Sequence, residues 1–80
     1  MTRTYKDMKP MTLFGKWLLN RMNEEDINCA QIAEKLYATR QCIRNHINGD
    51  VKPSYVWVMA YCQMFGGNPE EIYKLRDKEV

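Results

Sequence analysis

Cys42 and His46 stand four residues apart, a spacing that puts both on one face of a helix and offers half of a tetrahedral zinc site. No second pair at ligand spacing accompanies them, although Cys29 and Cys62 can approach in a folded chain. A buried thiol and a hydrogen-bonded core histidine are the simpler expectation, and no metal is expected. His46 is the single histidine, and no motif sets a serine or cysteine beside a base. No active site assembles from these parts, so the chain does not read as an enzyme, and no cofactor is expected. The richer set is polar. Arg40, Gln41, Arg44 and Asn45 fall within six residues, with no carboxylate among them. Arginine donates two parallel hydrogen bonds to the guanine edge, and glutamine or asparagine pairs in the same way with adenine. The chemistry this set can do is to read bases.

Such side chains need a helix to carry them. Apolar residues recur at intervals of three and four, with almost no two-residue alternation, so the chain is expected to be all-α. Thr39 can cap a helix from Arg40 to about Ile47, with Ile43 and Ile47 facing inward. Asn48-Gly49 ends it, since both residues tolerate the left-handed conformation of a helix terminus. The preceding helix starts at an Asn28 cap with Gln31 in the capping-box position. Its inward stripe is Ile32 and Leu36, and Ala33 leaves room for close approach. Only the break at Tyr37-Ala38 separates these two helices, so they must cross steeply and the later one projects from the body. Thr12 opens a first helix to about Glu24, with Phe14, Leu18 and Met22 in one stripe flanked by Trp17. Ser54 opens a fourth, Tyr55 to Phe65, closed by Gly66-Gly67. Asn68-Pro69-Glu70-Glu71 supplies a cap, a proline at the first helical position and acids facing the helix dipole. A fifth helix should run from there to about Asp77, with Ile72 and Leu75 packing.

Eighty residues make one domain with a modest core. With 45% hydrophobic and 28% charged residues the composition is that of a folded chain, not a disordered one. The net charge of +2 says little, but its distribution says more. Arg3, Lys6 and Lys9 face one acid, Asp7, in a basic N-terminal arm over residues 1–11. Lys35, Arg40, Arg44 and Lys52 face only Asp50 across residues 35–52. Most other acids sit in Glu24-Glu25-Asp26, in Glu70-Glu71 and at the C-terminal end. A nearly balanced chain can thus turn one positive face to phosphate. Three cysteines without a CxxC pair make no disulfide framework and fit reduced thiols. No apolar stretch approaches a membrane span and no signal-peptide core follows the N-terminus, so a cytoplasmic protein without a membrane partner is expected. Nothing points to a small-molecule ligand.

Several words of the sequence fall in one register: Ile32-Ala33-Glu34-Lys35-Leu36, Thr39-Arg40-Gln41 with Ile43, Asn48-Gly49, Lys52-Pro53-Ser54, and Phe65-Gly66 through Ile72. From about Phe14 to Leu75 the chain resembles, without a gap, the helix-turn-helix family of phage repressors and Cro proteins, also called the XRE family. The resemblance implies a five-helix, lambda-repressor-like DNA-binding domain over residues 12–78, with the helix-turn-helix at about 28–47 and its third helix in the major groove. Base reading is then carried by Arg40, Gln41 and Asn45, with Arg44 beside them. Phosphate contacts map to Asn28 and Cys29 at the start of the second helix, to Thr39, and to Asn48 and Lys52 after the third. The implied function is a sequence-specific transcriptional regulator, a Cro or short repressor of a phage or mobile element, acting on a palindromic double-stranded DNA operator. The chain departs from the family pattern at four places. Cys29 replaces a common phosphate-binding glutamine, and Tyr37 a common turn glycine. His46 replaces a buried aliphatic residue or tryptophan, and Ile47 a frequent polar residue, which would rotate the inward face slightly.

The fourth helix carries more apolar surface than one buried face needs. Tyr55, Val58, Met59, Cys62 and Phe65 can fill the core. Val56, Trp57, Ala60 and Met64 are left over and, with Tyr73 on the fifth helix, form a candidate homodimer interface; the other account is a core that wraps a nearly central helix. A dimer doubles the base pairs read and matches a palindrome. Two further functions use the same fold: a protein-binding antirepressor or inhibitor, and an antitoxin-type autoregulator.

Overall fold

A computed structural model describes residues 9–80, so Arg3, Lys6 and most of the basic arm lie outside the described residues. Five helices follow in order: α1 (Leu13–Glu25), α2 (Cys29–Lys35), α3 (Arg40–Asn48), α4 (Tyr55–Phe65) and α5 (Pro69–Leu75). The described chain is all-α, its only extended pairing being an isolated bridge between Thr12 and Glu79. No helix among the described residues is long and apolar enough to cross a membrane.

Short polar side chains start the helices. Thr12 Oγ1 accepts from the Gly15 N–H at 3.1 Å, and Thr39 Oγ1 from the Cys42 N–H at 3.1 Å. Asn28 and Gln31 form the reciprocal capping box, at 2.8 and 2.9 Å. Asn68 Oδ1 accepts from the Glu70 N–H at 2.9 Å, with Pro69 opening α5. Ser54 stands at the cap of α4 but makes no side-chain capping bond. The last helix ends at Leu75, two residues earlier than its pattern suggested, and the chain continues in turns whose N–H groups reach back to Tyr73, Lys74 and Leu75 carbonyls.

One core joins the helices. Phe14, Leu18 and Met22 of α1 and Ile43 and Ile47 of α3 are fully buried, as are Ile32, Val58 and Tyr61. The buried face of α4 differs from expectation. Tyr55 and Met59 are each 39% exposed, and the inward positions are Val58, Tyr61, Cys62 and Phe65. Both sets keep helical spacing, so periodicity alone cannot choose between them. Tyr61 wins because its ring packs on Phe14, 5.7 Å between centroids, while its hydroxyl finds a buried partner. The α1–α3 crossing is close enough to exclude a side chain: a Cβ on Gly15 would overlap the Ile47 carbonyl and lie 3.1 Å from Pro10 Cβ.

The two ends of the described chain meet. Leu13 N–H donates to Lys78 O at 2.7 Å, and Val80 N–H to Met11 O at 3.1 Å. Met11, the last residue of the arm in the sequence reading, also donates its N–H to Asn48 O at the end of α3 at 3.3 Å.

The α2–α3 turn reverses direction at Tyr37, whose φ of 56° is left-handed. The turn is satisfied by Ala38 N–H donating to Ala33 O at 2.8 Å, the long-range bond of a helix end that normally uses glycine. Tyr37 gains no burial there; it is 98% exposed. Replacing it by glycine removes the Cβ strain and should stabilise the domain by about 1 kcal/mol, after allowance for the freer unfolded chain. Urea denaturation of Tyr37→Gly checks this; an unchanged or lower midpoint would show that the tyrosine is not strained.

Candidate nucleic-acid interface

The short turn lets α3 lie across α2, and three residues fasten it: Ile43, His46 and Ile47, all at most 3% exposed. The insertion of a polar residue among them is resolved by a hydrogen bond. His46 Nδ1 and Tyr61 Oη are 2.7 Å apart, and the Trp57 ring meets the imidazole edge-on at 4.9 Å. Burial pushes the His46 pKa below the ordinary histidine value and the Tyr61 pKa well above that of a free phenol. Among the described residues no group of three or more metal-capable side chains comes together.

The opposite side of α3 is polar. Arg40, Gln41 and Arg44 are exposed, and Asn45 is half-buried beside them. Gln41 Nε2 donates to Asn45 Oδ1 at 2.8 Å across one helical turn. That bond leaves the Gln41 carbonyl and the Asn45 amino group free, an acceptor and a donor of the kind that adenine's edge matches. Arg40, Gln41 and Arg44 line a concavity of about 420 Å³ with Thr39 and Cys29. The structure therefore gathers five of the nine residues singled out for base or phosphate contact around one hollow, with Asn45 tied to it through Gln41.

The phosphate candidates differ in what their side chains have left to offer. Asn28 has its side-chain oxygen committed to the Gln31 N–H. Cys29 is only 6% exposed; burial raises its thiol pKa, against which the Arg44 and Arg40 guanidiniums act in the lowering direction. It sits in the hollow as a neutral thiol, so any anion contact there falls to the arginines and backbone. Thr39 accepts a capping bond but keeps its hydroxyl proton to donate. Asn48 is the last residue of α3 rather than part of a loop. Lys52 lies apart, in a second concavity of about 490 Å³ whose lining includes Asp50, Arg76, Asp77 and Glu79, and its Nζ pairs with Asp77 Oδ1 at 3.1 Å.

The candidate dimer residues also divide. Val56, Trp57 and Ala60 line an apolar groove of about 190 Å³ with Leu36, while Met64 packs on the core elsewhere. Tyr73 is engaged within its own chain, edge-on to Tyr55 at 5.3 Å and under the Arg76 guanidinium at 4.2 Å. Leu36 is the addition that the sequence did not show: its spacing assigned it to the core, but it caps α2 and stays half-buried. No protein-family model, curated protein or solved structure matches this chain.

Proposed function

We propose that this chain is a sequence-specific DNA-binding transcriptional regulator of the phage-repressor and Cro type, reading the major groove with α3. One observation carries the reading. The helix that follows a tight turn is pinned by Ile43, His46 and Ile47 and offers a carboxylate-free face of Arg40, Gln41, Arg44 and Asn45. A face rich in bidentate donors, held on a rigid helix, suits base edges better than it suits a protein surface. In this reading the protein works in the cytoplasm, and two copies bind the halves of a palindromic operator.

The test is titration of duplex DNA at low and moderate salt. Phosphate contacts release counterions, so binding should weaken steeply as salt rises. Absence of binding even at low salt would shift the reading to a protein-binding inhibitor on the same fold. The Lys52 contribution is separable. Its exposed pair with Asp77 is weak, about 0–1 kcal/mol, so a DNA phosphate can take the lysine from it. Lys52→Ala should weaken binding to all sequences alike and lower the salt slope by about one. An unchanged slope would mean that Lys52 stays with Asp77.

For self-association the probe is Val56, which is 74% exposed and touches the groove without supporting the core. Val56→Glu should reduce cooperative operator binding and leave the melting temperature within a degree or two. Trp57 is less suitable, because it braces His46 and Tyr61. Sedimentation with and without operator decides; wild-type behaviour of Val56→Glu would remove this groove from the interface.

A further inference from the structure

We propose that His46, Tyr61 and Trp57 form an acid-sensitive latch that fastens α3 to α4, and that protonation of the imidazole loosens it. The latch goes beyond what α3 touches and holds for any partner of that helix. His46 is one of only three buried residues on α3, beside Ile43 and Ile47, so a large part of that helix's grip is titratable. Its Nδ1 is 2.7 Å from the Tyr61 hydroxyl, and both rings are buried. Trp57 and Tyr61 present their rings to the imidazole at 4.9 and 5.9 Å.

Among the described residues, the groups packed around the imidazole offer nothing that would welcome a positive charge. From α4 come the Tyr61 hydroxyl and the uncharged Trp57 ring. From α1 the buried residues are Phe14, Gly15, Leu18 and Met22. On α3 itself Cys42 lies one turn back, and Cys29 comes from α2; both thiols act on the Tyr61 hydroxyl rather than on the imidazole. Among the described residues burial alone acts on His46, with no carboxylate to offset it. An imidazolium donates from both nitrogens, so Tyr61 must then accept, and its own proton needs another acceptor among apolar neighbours. The arrangement suits the neutral pair only.

The sign follows from linkage. The folded state disfavours the charged imidazole, so stability is complete above the ordinary histidine value of 6.5 and is lost as pH falls below it. Most carboxylates protonate at lower pH, and His46 is the only histidine, so the upper part of this window isolates it. The experiment pairs thermal melts of the wild type and His46→Gln between about pH 7 and about pH 5.5 with an NMR titration of the wild-type imidazole. The wild type should lose roughly 5 °C or more over this range, and His46→Gln should lose much less. The imidazole should titrate below its ordinary value. An imidazole that titrates at or above that value overturns the latch, whether or not His46→Gln folds. Equal acid losses in the two proteins overturn it as well.

Discussion

Gly15→Ala is expected to cost about 3 kcal/mol of folding stability, a loss of the size that overpacking a closed helix crossing produces. In an exposed helix the same change would be favourable by about 1 kcal/mol, because alanine is the better helix former. The sign reverses here because the added methyl has nowhere to go. It would overlap the Ile47 carbonyl, which is backbone and cannot rotate aside, and it would press on Pro10 Cβ at 3.1 Å. Relief requires α1 and α3 to separate, which uncovers Phe14, Leu18 and Ile43 together. For a domain of this size the melting temperature should fall by roughly 15 °C. Calorimetry of Gly15→Ala checks the point. A neutral or higher melting temperature would mean that α1 and α3 do not cross so closely. Under the proposed function, loss of DNA binding in this variant should follow the loss of fold, with no separate effect on specificity.

The second large effect tests the proposed base reading. Arg40→Ala, Gln41→Ala and Asn45→Ala should each weaken operator binding by about 1–3 kcal/mol, roughly 5- to 150-fold, while binding to random DNA changes much less. The structure adds a coupling that separate residues would not show. Gln41 and Asn45 share a 2.8 Å hydrogen bond, so each holds the other's amide in a fixed orientation. Removing either one releases its partner, and the double substitution should cost less than the sum of the two single ones by about 0.5–1 kcal/mol. Gel-shift or anisotropy titrations on operator and scrambled duplexes measure both quantities. Equal losses on the two DNAs would show that these side chains supply only charge or structure. Strict additivity would show that the amide pair does not persist on DNA.

Much of this architecture is legible in the chain because local signals agree with the global fold. The caps at Thr12, Asn28, Thr39 and Asn68 each satisfy a backbone donor nearby, so they can be read without knowing the rest of the molecule. The outward face of α3 is legible for the same reason: the spacing of Ile43 and Ile47 fixes which side is left. What was not legible depends on partners distant in sequence. Tyr61 falls outside the inward set that spacing suggests for α4, and its burial makes sense only once its hydroxyl is paired with His46, fifteen positions away. Nothing near Gly15 in the sequence explains it, and its reason appears only when the fold places Ile47 against it. Lys52 has the charge and loop position of a phosphate anchor, and only the fold reveals Asp77 beside it. Tyr37 lies between these cases. The sequence sets it where the resembled family has a turn glycine, and the turn is left-handed.

The bonds between residues 11–13 and 78–80 make the described chain nearly a closed ring. Topologically, such a ring can be opened elsewhere. A short linker from Val80 back to Pro10, with new ends cut between Gly66 and Gly67, would give a circular permutant in which each helix remains whole. Both glycines of that cut are exposed, and the cut falls between α4 and α5, away from the hollow beside α3. Such a rearrangement would move the ends of the described chain off the Asn48 side of α3 while preserving that helix's contacts with α1 and α4.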